Sequence, residues 1–299
     1  MKKKAPAWLA FLVLMLVATL TSCEKFALED LGDNSTHDAN ANVTIHVQKL
    51  QNTPIAYSTK AGDSKKLEDV CSRVSFVVFD GEEKLVAKNQ TAEDSGFGTC
   101  HFSLDEGEYR LVVIAHNGAG NCSVSAPEKV KFYNNKMTDT FYYYGRLSVT
   151  EEGAKADINM QRAVAAFQLH ITDKTLPKDV KSIKFYYTGG SSTLDATTGY
   201  GCVNSRQTET FNFTETGRDF IVYTFPHEEE KNINMTVSIL DPDAKVTKTY
   251  QKTDLKMKCN SISKASISLE KDGFDGDEDD GDIGFTVDDE WGEEIIVYF

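Results

Sequence analysis

The sequence is short of positive charge and of tryptophan, and beyond its first 20 residues it has no long apolar run. It sets 32 Lys and Arg against 46 Asp and Glu, a net charge of −14. A surface of that sign repels phosphate, which argues against nucleic acid as a partner. No later segment approaches the roughly 18 consecutive apolar residues of a membrane-spanning helix. The 2 Trp leave little material for an aromatic sugar-stacking platform. A Gly-x-Ser-x-Gly elbow and a P-loop are both missing. Gly118-Ala119-Gly120 and Gly199-Tyr200-Gly201 lack the surroundings of a phosphate loop and read as turns. The cysteines show no CxxC or Cys/His spacing suited to zinc. His37, His46, His101, His116, His170 and His227 are scattered and read as surface or strand-face residues. With 46 carboxylates, a pair at glycosidase spacing would arise in almost any fold and carries no information. No catalytic residue, metal site or cofactor is therefore expected. At 40% hydrophobic and 26% charged the composition is that of a folded chain, and 299 residues suit two domains of about 150 each.

The N-terminus reads as an address. Lys2, Lys3 and Lys4 precede a nearly unbroken apolar run over residues 7–20, too short to span a membrane and right for a signal peptide. The run ends Leu20-Thr21-Ser22-Cys23, which resembles a bacterial lipobox. Residues 1–22 are then removed, and Cys23 becomes the lipidated first residue, an acyl anchor that tethers without spanning. Export places the chain where disulfides persist. Cys71, Cys100, Cys122, Cys202 and Cys259 remain, an odd number. Cys100 and Cys122 lie near two runs read as adjacent strands and are the expected pair if one forms. The alternative, that all five are small buried hydrophobes, stays open.

Period-2 alternation dominates the chain from residue 43 to residue 271. Residues 24–42 are polar and read as part of a flexible tether over residues 23–42. Val43-Thr44-Ile45-His46-Val47 alternates strictly, with Val43, Ile45 and Val47 on one face. A polar loop fills residues 52–69. Residues 74–79, the turn Asp80-Gly81 and residues 84–88 suggest a hairpin. Residues 99–104 and 109–116 suggest a second one. In the latter run Tyr109, Leu111, Val113 and Ala115 share one face, and Arg110, Val112, Ile114 and His116 the other. Further strand-like runs cover residues 141–149, 157–160, 163–171, 182–187, 211–213, 220–225, 233–240, 246–250 and 262–269. No amphipathic helix of 12 or more residues is evident. Many short strands between turn signals predict an all-β chain of sandwiches or barrels. The charged break near residues 150–156 predicts two sandwiches, 43–152 and 153–271.

The tail, 272–299, differs in kind. It holds 12 acidic side chains and no Lys or Arg. Its first part reads as a solvated acidic linker. Calcium is conceivable for the run 275–282, but no register of it fits an EF-hand loop. The tail then turns apolar through Trp291 to Ile295-Ile296-Val297-Tyr298-Phe299. Such a strand is an aggregation hazard unless it pairs with a sheet.

Four segments, taken in order behind the lipobox, resemble a known family. They are Ser103-Leu104-Asp105-Glu106-Gly107-Glu108-Tyr109-Arg110-Leu111; Met160-Gln161-Arg162-Ala163-Val164-Ala165; Tyr186-Tyr187-Thr188-Gly189-Gly190-Ser191-Ser192-Thr193-Leu194-Asp195; and Thr198-Gly199-Tyr200-Gly201-Cys202-Val203-Asn204-Ser205-Arg206-Gln207. Together they resemble the fimbrial subunit lipoproteins (fimbrilins) of Bacteroidales type V pili, most of all the minor or anchor-type subunits. The resemblance implies two tandem transthyretin-like β-sandwiches and no enzymatic activity. It implies a palmitate-bearing outer-membrane lipoprotein in a cell-surface fimbrium that serves adhesion. Its partners would be other fimbrial subunits, joined by strand exchange, and host or bacterial surface ligands. Polymerising subunits of the family lose an N-terminal strand at a basic residue, whereas an anchor keeps it. Here the retained strand would carry Val43, Ile45 and Val47. The first Arg after Cys23 is Arg73, so the loop 48–70 offers only lysines for cleavage. Trp291, Ile295, Ile296, Val297, Tyr298 and Phe299 form the donor-strand candidate, unless that strand completes its own sheet. The competing function is a surface glycan-binding lipoprotein of a polysaccharide-uptake system.

Overall fold

A computed structural model describes residues 41–51, 66–214, 217–270 and 293–296. Helix is almost missing among them. The α-helix α1, Leu67–Val70, is one turn long and serves to bury Leu67. Strands joined by turns and short loops dominate the rest, and the all-β expectation holds.

The first half contributes β1 (Val43–Leu50), β2 (Arg73–Asp80), β3 (Glu83–Thr91), β4 (Thr99–Phe102), β5 (Gly107–His116), β6 (Ser123–Ala126), β7 (Lys129–Lys131), β8 (Thr140–Val149) and β9 (Ala154–Arg162). Seven of these form one sheet in the order β3-β2-β5-β8-β9-β1-β4. It is joined at β8–β9 by only two residue pairs, Phe141 with Arg162 and Tyr142 with Gln161. The sheet folds over at that seam. The inward faces of β2, β5 and β8 (Phe76, Val78, Leu111, Val113, Phe141) and of β9, β1 and β4 (Ile158, Met160, Val43, Ile45, Val47, Phe102) then share one dry core. Alternation thus decides which side chains are inside.

The second half contributes β10 (Ala165–Ile171), β11 (Ser182–Gly190), β12 (Thr193–Asp195), β13 (Tyr200–Gly201), β14 (Ser205–Asn212), β15 (Asp219–Thr224), β16 (Glu230–Leu240), β17 (Val246–Lys258), β18 (Ser261–Ile267) and β19 (Glu293–Ile296). Two four-stranded sheets, β15-β10-β18-β19 and β14-β11-β16-β17, enclose a second core around Phe167, Phe185, Tyr187, Val237 and Ile267.

A small fourth sheet, β13-β12-β7-β6, takes two strands from each half. It covers the outer faces of β2 and β5. Val77, Phe79, Val112 and Ile114 meet Leu194, Ala196 and Phe225 there in a third core. The two-faced pattern of residues 109–116 is explained by this, since β5 is covered on both sides.

The structure corrects two expectations. Residues 99–104 and 109–116 do not form a hairpin. β4 pairs with β1, and β5 pairs with β2 and β8, because residues 103–106 cross from one layer to the other. Cys100 and Cys122 are not bonded, and both are free. Cys100 lies in the first core and Cys122 in the third, so sheet residues stand between them. Burial pushes their thiols up, to about 12 and about 11. They behave as small buried hydrophobes.

Candidate strand-exchange site

β1 has the sequence VTIHVQKL, and its inward side chains Val43, Ile45, Val47 and Leu50 are fully buried. It is an inner strand. On one side it runs antiparallel to β4, from Val43 opposite Phe102 to His46 opposite Thr99. On the other it runs parallel to β9, from Val43 opposite Ala154 to Leu50 opposite Met160. Its outward side chains are paired too. Thr44 Oγ1 lies 3.1 Å from His101 Nδ1, and His46 Nδ1 lies 2.9 Å from Thr99 Oγ1. Burying four such apolar side chains is worth roughly 1.5–3 kcal/mol each, or about 6–12 kcal/mol together. That compares with the whole stability of an ordinary domain, about 5–15 kcal/mol. Without β1, or a substitute in its slot, the first core would lose one of its walls.

Both ends of β1 are clamped. Asn42 donates through Nδ2 to Leu104 O at 2.7 Å and accepts from Leu104 N at 3.0 Å. Its carbonyl accepts from Ala154 N at 2.9 Å. Gly153 allows this approach: at φ +85° a Cβ there would stand 2.0 Å from Asn42 O. At the far end Gln51 N donates to Met160 O at 2.8 Å, and Gln51 Oε1 accepts from Arg162 N at 2.9 Å.

Arg162 is the hub of that end. Its side chain is fully buried and its fork donates to both oxygens of Asp139, at 2.8 and 2.9 Å. Nη1 donates to Asn260 Oδ1 at 3.1 Å, and the guanidinium sits 4.7 Å from the Phe141 ring centroid. One side chain therefore ties β9, the start of β8 and the β17–β18 turn of the second half. Sequence reasoning does not find this cluster, because nothing in a local pattern joins positions 51, 139, 162 and 260. Its one trace is Arg162 within the Met160–Ala165 segment.

The donor candidate is placed in part. Ile295 and Ile296 lie in β19, which pairs parallel to β18, from Ser261 opposite Glu293 to Lys264 opposite Ile296. β19 is the edge of its sheet. β18 and β10 separate it from the opposite edge, β15, and it is not brought together with β1. Cys23, Trp291, Val297, Tyr298 and Phe299, the signal peptide, most of the tether and loop 52–65, and the acidic linker lie outside the described residues.

Among the described residues, sheets closed around buried cores, with β1 as an inner strand and β19 as an edge strand, define an all-β class of protein. Residues 35–297 match the family of fimbrillin-A associated anchor proteins Mfa1 and Mfa2, and the chain belongs to that family. The family is structural and fimbrial, not enzymatic. A comparison with curated proteins gives no match. Among solved structures, the chain is similar to a candidate adhesin from Bacteroides ovatus, with 14% identity, 75% of this chain and 87% of that one covered, and a TM-score of 0.45. It is also similar to the fimbrial anchor protein Mfa2 from Porphyromonas gingivalis, with 12% identity, 71% and 81% covered, and a TM-score of 0.37. A third is a candidate polysaccharide-binding protein from Bacteroides thetaiotaomicron, with 11% identity, 68% and 77% covered, and a TM-score of 0.45.

Proposed function

We propose that this chain is an outer-membrane lipoprotein, acylated at Cys23, that anchors a fimbria at the cell surface and joins its neighbouring subunit by strand exchange. It keeps β1 as a built-in part of its own groove and offers residues 291–299 to a partner. Physically this is β-augmentation, in which backbone hydrogen bonds supply affinity and alternate side chains fix register. The observation that carries the reading is β1 itself. It is an inner strand with four inward side chains buried and both ends clamped, as a strand that is never cut away should be. We also propose two transthyretin-like sandwiches, with the division moved from 152–153 to residues 163–164. The reason is that β9 hydrogen-bonds to β1 and contributes Ile158 and Met160 to the first core.

A second reading, that residues 293–299 only complete their own sheet, is favoured by the pairing of β19 with β18. Deleting residues 283–299 in the native cell separates the two. The anchor reading expects a folded, lipidated chain with a Cys23 start by mass spectrometry, no longer held in SDS-resistant complexes with other subunits. If the truncated chain co-purifies with fimbriae as well as the full chain does, the donor strand is refuted. A mature start beyond β1 would refute the anchor.

A further inference from the structure

Where β1 ends, the second half closes over it and leaves a polar cleft of about 400 Å³. That is small for a ligand site but within the usual range of about 300–1,000 Å³. Its wall holds Gln51, Gln161 and Asn260, three carboxamides from three distant parts of the chain. Each has its oxygen pinned by the protein. Gln51 Oε1 accepts from Arg162 N, Gln161 Oε1 accepts from Tyr142 OH at 2.9 Å, and Asn260 Oδ1 accepts from Arg162 Nη1. The orientation of each amide is thereby fixed, and among the described residues none of the three NH₂ groups has an acceptor. Opposite them stands Tyr200, whose hydroxyl donates to Glu229 Oε2 at 3.3 Å, leaving Glu229 Oε1 as an acceptor. Gly199 brings this wall close: at φ +80° a Cβ there would stand 2.0 Å from Tyr142 OH.

Among the described residues the formal charges at the cleft cancel. Asp139, just behind the wall, pairs with Arg162, and the lining holds one further base, Lys258, and one further acid, Glu229. An ion of either sign has no excess of opposite charge to meet. A ligand that fits must accept several N–H bonds, donate at least one O–H to a carboxylate, lie beside two half-buried tyrosines, and carry no net charge. We propose that this cleft binds a neutral sugar, one or two rings in size, with Gln51, Gln161 and Asn260 donating to its oxygens and Glu229 accepting from a hydroxyl. The site is independent of strand exchange and would give an anchoring chain a surface ligand of its own.

Saturation-transfer NMR and calorimetry on the full chain test this with methyl mannoside, galactose and N-acetylglucosamine, and with glucuronate as the charged counter-probe. Saturable binding of at least one neutral sugar is expected. Glu229→Gln, which keeps the shape, should weaken it roughly ten-fold, the loss of one charge-assisted hydrogen bond. Tyr200→Phe, which removes only the hydroxyl that orients Glu229, should weaken it less, and both variants should melt as the parent does. Binding of glucuronate alone, no binding by any neutral probe, or binding unchanged in Glu229→Gln would each overturn the proposal. None of these outcomes depends on whether the chain anchors a fimbria.

Discussion

His116 closes β5 with no exposed surface, inserted between the Phe132 ring edge-on at 5.4 Å and the turn after it. Its Nδ1 accepts from Gly118 N at 2.9 Å, and its buried Nε2 has no partner among the described residues. Burial, helped by the nearby Arg73, pulls its pKa down from 6.5 to about 4. The folded state therefore favours neutral imidazole. Its contribution is complete above pH 6.5, falls as the unfolded chain takes up the proton first, and is lost by about pH 4. The total is on the order of 3 kcal/mol. Urea melts at pH 7 and pH 4.5 should show that drop, and His116→Asn, which can still accept from Gly118, should flatten it. An equal drop in the variant would assign the acid sensitivity to other groups. Nothing in the sequence distinguishes His116 from the other five histidines. Burial on both faces of β5 does so, and that depends on the small shared sheet, half of whose strands come from the second half of the chain. The failure of the Cys100–Cys122 pairing has the same origin. Sequence proximity to strands is legible, but the side of the sheet on which each thiol sits is not.

At the level of elements, alternation locates nearly every strand, because burial on one face repeats every second residue whatever the partner. Partners are less legible. The turn chemistry at Asp80-Gly81 is sufficient for β2 and β3, which do pair. The short gap between residues 104 and 109 is misleading, because it permits a reversal but does not fix the layer, and β1 decides the layer by claiming β4. β1 is readable from its five-residue pattern, but its inner position is not, since its parallel partner β9 lies more than 100 residues away. This pairing makes β1 separable in principle. A chain lacking residues 41–51 should be poorly soluble and bind a hydrophobic dye. A synthetic peptide of those residues, added during refolding, should restore the parent's melting transition. A scrambled peptide of equal composition should not, because only the native order places Val43, Ile45, Val47 and Leu50 inward. Recovery with the scrambled peptide, or full solubility without any, would refute the estimate of what β1 contributes.

For the whole molecule, the break near residues 150–156 suggests two independent bodies. The third core argues for energetic coupling. Phe225, from the second half, is fully buried against Phe132 at 5.2 Å in the core that covers β2 and β5. Phe225→Ala should cost about 3–5 kcal/mol. In calorimetry the parent should show one transition, and the variant one transition at lower temperature. Two transitions, with only the second-half one shifted, would mean that the halves unfold separately. The acidic balance of the chain is fully legible, as it needs no fold. The shared sheet is not, because its strands are only two to four residues long, too short for an alternation to show, and β13 falls on Gly199-Tyr200-Gly201, which reads as a turn.

The clamped, parallel lie of β1 against β9 has a mechanical meaning. If the chain is held at its N-terminal end and a filament is drawn outward through its second half, tension runs along β1 and not across it. The ladder to β9 and the shorter one to β4 are then loaded in shear, with all their hydrogen bonds strained at once. A strand pulled from its edge gives them up one after another, like a zipper. Buried as an inner strand, β1 is oriented to resist the pull that a tethered filament would transmit.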